Sequence, residues 1–202
     1  MKKNKLILSD QVILITGSQG FIGRKLVSSL KNSNNTLILL DKNISKLEKN
    51  KGIYSYKVDF SNDADLQNIL SKIKKTFKKI DKIVSLAALT GDSIELYKNK
   101  KEIWKEIYNV NLFAPMKIFS NLKTNLKKSK RPSIVIISSI YGEVQPKFEI
   151  YKNTKLENFF DYSSSKSGLI YLTKWLAKKY SPHIRVNCIS PGGIIRKQSK
   201  TF

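Results

Sequence analysis

Short apolar runs alternate along the 202-residue chain with longer stretches in which apolar residues recur every three or four positions. The runs are VILIT (12–16), TLILLD (36–41), IYSYKVD (53–59), KIVSLAA (82–88), SIVIISS (133–139) and IRVNCIS (184–190). They are rich in Ile and Val and apolar at successive positions, which predicts strands covered on both sides, as in a parallel sheet. The intervening periodicity predicts helices over roughly 21–32, 62–78, 101–127 and 161–180, while the connection 42–52 is too short for a full helix. This alternation predicts an α/β fold: a doubly wound parallel sheet of about six strands with helices on both faces. No repeat, linker or composition shift divides the chain, so residues 1–202 read as one domain. One stretch breaks the rhythm: GEVQPKFEIYKNTKLENFFD (142–161) has weak periodicity, Pro146 and several aromatics. A loop of that length in a compact domain predicts a functional, substrate-facing segment.

Composition narrows the class. At 41% hydrophobic and 10% aromatic the chain is globular rather than disordered. No apolar run approaches the ~20 residues that span a bilayer. The basic start, MKKNKLILSD, has too short an apolar part for a signal sequence. The single Cys188 excludes an internal disulfide, and together these features lead to the expectation of a cytoplasmic protein. Lys and Arg number 38 against 15 Asp and Glu, a net charge of +23. Such a field could serve a nucleic-acid or acidic-membrane surface. The excess is mostly Lys, however, spread along the chain beside abundant Asn and Ile. Its densest clusters, SKIKKTFKK and NLKKSKR, read as solvated helix faces and ends. No zinc spacing or aromatic–basic RNA motif accompanies them, so neither a metal nor a specific nucleic-acid partner is expected. Attraction to anionic small ligands such as sugar nucleotides follows from the same charge. The lone His183 has no partner residues nearby in sequence and reads as a surface or strand-entry residue.

Two local patterns carry chemistry. ITGSQGFIG places Gly17, Gly20 and Gly23 directly after the first strand and at the opening of the first helix. Glycines there allow a sharp turn and close approach of a pyrophosphate, and the helix N-terminus supplies amides and partial positive charge. The candidate phosphate-binding residues are Gly17, Ser18, Gly20, Phe21, Ile22 and Gly23. Asp41, ending the second strand, can accept hydrogen bonds from ribose hydroxyls and would repel a 2′-phosphate, which favours NAD over NADP. Lys42 beside it could instead reach a 2′-phosphate. Asp59 could meet an adenine amino group or simply form a strand-end turn or N-cap. The second pattern is DYSSSK, in which Tyr162 precedes Lys166 by one helical turn, on one face. A free phenol, with a pKa near ~10, is a poor base at neutral pH, and a close ammonium favours its phenolate.

Taken in order, TGSQGFIG, Asp41, Asp59, SLAA, NVNLFAP, IISSIYG, YSSSK and IRVNCISPGG resemble the short-chain dehydrogenase/reductase superfamily from residue 11 to about 197. The resemblance implies a Rossmann-like NAD(P)-dependent oxidoreductase. It implies Tyr162 as catalytic acid/base and Lys166 as the residue that holds the nicotinamide ribose and lowers the tyrosine pKa. It implies that Ser139 binds the substrate carbonyl and that Asn111 supports a water in a proton relay. Ala87 and Ala88 match small residues near the adenosine ribose, and Pro191 and Gly192 match the turn shaping the nicotinamide pocket. The Gly-x-x-Gly-x-x-Gly spacing and SSIYG resemble the sugar-nucleotide epimerase and dehydratase branch, whereas NVNL and RVNCISPGG resemble the shorter reductases. The mixture, with the PKFEIY (146–151) and SPGGI (190–194) segments, is similar to reductases of bacterial surface-polysaccharide and flagellar-sugar modification, implying a sugar or sugar-nucleotide substrate.

Members normally continue past PGG with further helices and a seventh strand that often make the oligomer interface. Six strands are expected here, with the C-terminal helix and seventh strand missing, and Arg196 stands where many members carry a Thr. A homo-oligomer stays possible. Three functions compete: a hydride-transferring oxidoreductase, an epimerase or dehydratase with tightly held NAD, and a non-catalytic dinucleotide-binding module.

Overall fold

The computed structural model of the chain describes residues 8–44, 51–91, 102–154 and 157–194. Each of the six apolar runs forms a strand: β1 (Val12–Thr16), β2 (Thr36–Asp41), β3 (Ile53–Lys57), β4 (Lys82–Ser85), β5 (Ser133–Ile137) and β6 (Arg185–Ile189). All pair in parallel, in the order β3-β2-β1-β4-β5-β6. β3, β4 and β5 stop two or three residues before their apolar runs do. The reason is visible at β4, where the Leu86 and Ala87 amides leave the ladder to donate to the Thr16 hydroxyl, each at 3.1 Å.

The helices are α1 (Phe21–Leu30), α2 (Asp63–Thr76), α3 (Ile103–Tyr108), α4 (Ala114–Leu126) and α5 (Phe160–Tyr180). The periodicity over 101–127 predicts one helix; the structure inserts a π-helical turn, Asn109–Phe113, between α3 and α4. Asn111 in that turn is fully buried and bonded to the chain beyond β4, so the extra residue rotates it toward the sheet. Pro115 follows in the first turn of α4, where a missing N–H is tolerated. At α2, Asn62 caps the helix by accepting from the Asp65 amide at 3.1 Å. Acids open that helix and lysines close it, in accord with its dipole.

Alternation along the strands builds two apolar layers. Leu14, Ile38, Leu40, Ile83 and Ile136 pack against α2, α4 and α5, through residues such as Leu70, Leu122 and Leu176. Ile13, Ile15, Leu37 and Leu39 pack on the other face against α1, through Leu30, Leu26 and Val27. The α1 side is thinner over β4–β6, where Val84, Val135 and Ile137 are half-buried and Ile189 is exposed. Below the sheet, buried Asp81 accepts from the Val12 amide at 2.9 Å and the Ser129 hydroxyl at 2.5 Å, and pairs with Lys79. Burial alone would raise its pKa, but these bonds hold it below the ordinary value. No helix among the described residues is long and apolar enough to cross a membrane.

After β3 the chain returns to the other side of β1 to form β4. The carboxyl ends of β1 and β4 therefore bound the crevice at which strand order reverses, the usual ligand position in open α/β sheets.

Candidate active site

Three segments meet at that crevice. The first is the glycine turn after β1. Gly17 has φ +65°, and a Cβ there would lie 2.7 Å from the Ala87 nitrogen. A Cβ on Gly23 would lie 2.1 Å from the Gly17 carbonyl oxygen and 2.8 Å from the Ser18 backbone. The turn is thus pressed against the exit of β4, and α1 against the turn. Gly20 is the N-cap of α1; no side chain caps the helix, and its first turn, which contains Phe21 and Ile22, carries no acid. The positive end of the helix is left for an anion. Ser18 lies buried under the turn, where its hydroxyl is the one buried side-chain polar atom without a hydrogen-bond partner among the described residues.

At the end of β2, Asp41 accepts from the Gln19 amide at 2.8 Å and from the Asn43 amide at 2.9 Å, so its carboxylate sits against the glycine turn. Lys42 reaches across to Asp59 at 2.8 Å. Asp59 lies two residues beyond β3 and accepts from the Ser61 amide and hydroxyl, at 2.9 and 2.6 Å. Burial opposes its ionisation, yet Lys42 and Ser61 hold the carboxyl down at about 2.

The second segment follows β4. Ala87 packs against Gly17, and exposed Ala88 leads to Leu89. Asn111 accepts from the Leu89 amide at 2.8 Å and donates to its carbonyl at 3.0 Å. Its amide group also donates to the Ser165 hydroxyl at 3.0 Å, and that hydroxyl donates to the Tyr162 carbonyl at 2.7 Å. Asn111 therefore ties β4 to α5.

The third segment joins β5 to α5. The Ser138 hydroxyl donates to the Lys166 carbonyl at 2.8 Å. Ser139 is buried and accepts from the Tyr141 amide at 3.2 Å, capping a short 3-10 turn, Ile140–Gly142. A Cβ on Gly142 would lie 2.9 Å from the Lys166 backbone, so this turn lies directly on α5. Lys166 is 3% exposed. Its ammonium donates to the Ile137 carbonyl at 3.0 Å and lies 5.6 Å from the Tyr162 ring centroid. Burial pushes Lys166 down to about 8 from its ordinary 10.5. Beyond β6, the Pro191 carbonyl accepts from the Ile140 amide at 2.9 Å, while Gly192 has open space where a Cβ would stand.

The structure thus joins Asn111, Tyr162 and Lys166 through α5, sets Ser139 beside them at the β5 exit, and gathers the glycine turn, Asp41 and Ala87 at the switch point. Asp59 is engaged elsewhere, with Lys42 and its own turn. The aromatic stretch 142–161 runs from β5 to α5, with exposed Phe148 and a Tyr151 hydroxyl donating to the Tyr141 hydroxyl at 3.2 Å. Residues 155–156 and Arg196 lie outside the described residues. Sequence reasoning missed Thr16, Ser138 and Ser165, whose hydroxyls tie these segments together. Their only signal is position, each next to a motif residue.

The family model of short chain dehydrogenases matches residues 11–200. The chain belongs to the short-chain dehydrogenase family. Its relatives include the post-translational flagellin modification protein A of Campylobacter coli, 29% identical over 97% of this chain and 82% of that protein. The 3-oxoacyl-[acyl-carrier-protein] reductase FabG of Thermotoga maritima is 30% identical over 93% of this chain and 75% of that protein. Among solved structures, a short-chain dehydrogenase from Leptospira borgpetersenii with bound NAD+ superposes with a TM-score of 0.84. It is 30% identical, covering 97% of this chain and 76% of that one. A Shigella flexneri short-chain dehydrogenase complexed with NADP superposes at 0.78 with 26% identity, covering 93% and 79%. This short-chain dehydrogenase is a nicotinamide-dinucleotide-dependent oxidoreductase. Its residues fit that group: the cradle at Gly17 and Gly23 would be filled by any Cβ, and the N-terminus of α1 is uncapped.

Two outcomes follow for the dehydrogenase. Gly23→Ala forces a Cβ into backbone that cannot move aside, so it should abolish NADH binding by fluorescence titration and lower the melting temperature. Lys166→Met removes a buried ammonium that costs ~3 kcal/mol below about pH 8. The folded pKa lies below the unfolded one, so the cost vanishes as pH rises from about 8 to 10.5. The stability difference between variant and wild type in urea unfolding should narrow across that window; a constant difference would contradict it.

Proposed function

We propose that the chain transfers hydride between a nicotinamide dinucleotide, NAD in preference to NADP, and the carbonyl or secondary alcohol of a sugar-like substrate. Tyr162 is the acid/base. The observation that carries this reading is the buried Lys166 ammonium, fixed by the Ile137 carbonyl within 5.6 Å of the Tyr162 ring. A positive charge so placed favours phenolate over phenol, which brings the proton affinity of the oxygen toward neutral pH.

When bound, the dinucleotide accepts or supplies the hydride. Tyr162 gives its hydroxyl proton to the substrate oxygen in reduction and takes it back in oxidation. Ser139 donates to that same oxygen and orients it. Lys166 stabilises the phenolate and offers its remaining N–H donors to the ribose. Asn111 holds the first turn of α5 in place through Ser165 and Leu89, and so keeps Tyr162 aligned. The NAD preference rests on Asp41, whose carboxylate lies at the glycine turn, and on Lys42, whose ammonium is engaged by Asp59 instead of being available to a 2′-phosphate.

The sugar reading rests on the resemblance carried by the PKFEIY and SPGGI segments, together with the glycine spacing and SSIYG. It accords with the likeness to a protein named for flagellin modification. The 3-oxoacyl-[acyl-carrier-protein] reductase relatives point to a different carbonyl, in a thioester-linked chain. One set of assays separates these readings. NADH should bind at least about tenfold more tightly than NADPH. NADH oxidation should be seen with keto-sugars or sugar-nucleotide ketones and not with acetoacetyl thioesters. Tyr162→Phe should lower kcat by about 10²–10⁴ with NADH affinity unchanged. Thioester reduction alone would reject the sugar assignment, and an active Tyr162→Phe would reject the acid/base.

A further inference from the structure

The amino ends of β5 and β6, opposite the carboxyl ends that face the candidate active site, hold a second constellation. The loop from α4 to β5 and the loop from α5 to β6 run side by side into neighbouring parallel strands, with Ser133 in register with Arg185. Between them lies a cavity of about 410 Å³ lined by Lys130, Arg131, Pro132, Pro182, His183 and Arg185. The loops are joined by the Arg185 amide, which donates to the Pro132 carbonyl at 3.3 Å, and Lys82 braces the first by donating to the Arg131 carbonyl at 2.5 Å.

The charge of this cavity is unbalanced. Neither loop contains an acid, from Lys127 to Ser133 or from Ser181 to Arg185. None of Lys130, Arg131 and Arg185 forms an ion pair with a carboxylate among the described residues. Asp81, which reaches the first loop through the Ser129 hydroxyl, is already engaged by the Val12 amide, Ser129 and Lys79. The effect of the crowding is felt by a neighbour: Lys82 is held below its ordinary pKa first by burial and then by the charges of Arg185, Arg131 and Lys79, against Asp81. A protein does not ordinarily converge unpaired cations on a recess, because they repel one another at such range.

The geometry points to a binding site for a small molecule carrying two linked phosphates, held by Arg131 and Arg185, with Lys130 and His183 also lining it. Two guanidinium forks, one from the α4–β5 loop and one from the first residue of β6, suit phosphate oxygens two at a time, where a single carboxylate would leave one fork unused. The recess is larger than one phosphate needs and leaves room for a second and for part of the group it carries. It lies at the amino ends of β5 and β6, a strand length of roughly 16 Å from their carboxyl ends, so its ligand is distinct from the dinucleotide at the glycine turn.

Calorimetric titration of the full chain with inorganic pyrophosphate tests the site, and Gly23→Ala, which blocks the glycine turn, should retain the pyrophosphate binding. Wild type should bind, and Arg131→Gln/Arg185→Gln should weaken binding by about tenfold or more. NADH affinity, measured separately, should stay unchanged. Lys51→Gln/Lys72→Gln, which removes the same charge from exposed positions elsewhere, should bind pyrophosphate as wild type does. Equal loss in both double variants would reduce the effect to diffuse charge and overturn the site. So would binding of a single-stranded oligonucleotide through these arginines with no measurable binding of pyrophosphate.

Discussion

The close approach of two backbones at the switch point governs the molecule. Gly17 turns against Ala87 with no room for a single extra carbon, and Gly23 lies equally close to Gly17. These contacts fix the separation of β1 from β4, the angle at which α1 leaves the sheet, and the direction of its amides. Thr16 completes the joint by accepting both amides that follow β4. A turn of this kind is a void defined by missing side chains, and its precision comes from backbone packing.

The other half of the site is organised by a charge placed where charge is unfavourable. Lys166 sits in the buried face of α5, one turn from Tyr162, and keeps a single backbone acceptor. Everything around it serves to hold that position: Ser138 bonds its carbonyl, Gly142 lets the turn after β5 lie against it, and Asn111 anchors the preceding turn of the helix. Stability is given up locally to keep a buried ammonium beside the Tyr162 ring, and perturbed groups of this kind cluster at functional sites.

The strands, the glycine turn and the Tyr162–Lys166 spacing were legible in the sequence because each is a local pattern: an apolar run, three glycines at a junction, two residues one turn apart. What escaped depends on partners distant in sequence. NVNLF reads as ordinary helix, and only the bonds from Asn111 to Leu89 and Ser165, 22 and 54 residues away, explain its π-turn. Nothing in the local pattern of Lys42 beside Asp41 shows that Lys42 pairs with Asp59, 17 residues further on. The NLKKSKR cluster and His183 looked like unrelated surface features; the parallel pairing of β5 with β6 sets them on two sides of one recess. Strand ends were overestimated because hydrophobicity continues past the last ladder bond.

The order of strands in the sheet also has a consequence for how the molecule comes together. β1 pairs with β4 about 70 residues later in the chain, and β5 pairs with β6 about 52 later. Such pairings close long loops before they are rewarded, which is slow compared with helix formation. The glycine turn cannot close until the chain has come back to place Ala87 beside Gly17, and Lys166 cannot reach the Ile137 carbonyl until α5 docks on β5. During synthesis the first three strands therefore emerge as half of a crevice, and binding competence arrives late, with the segments that close it.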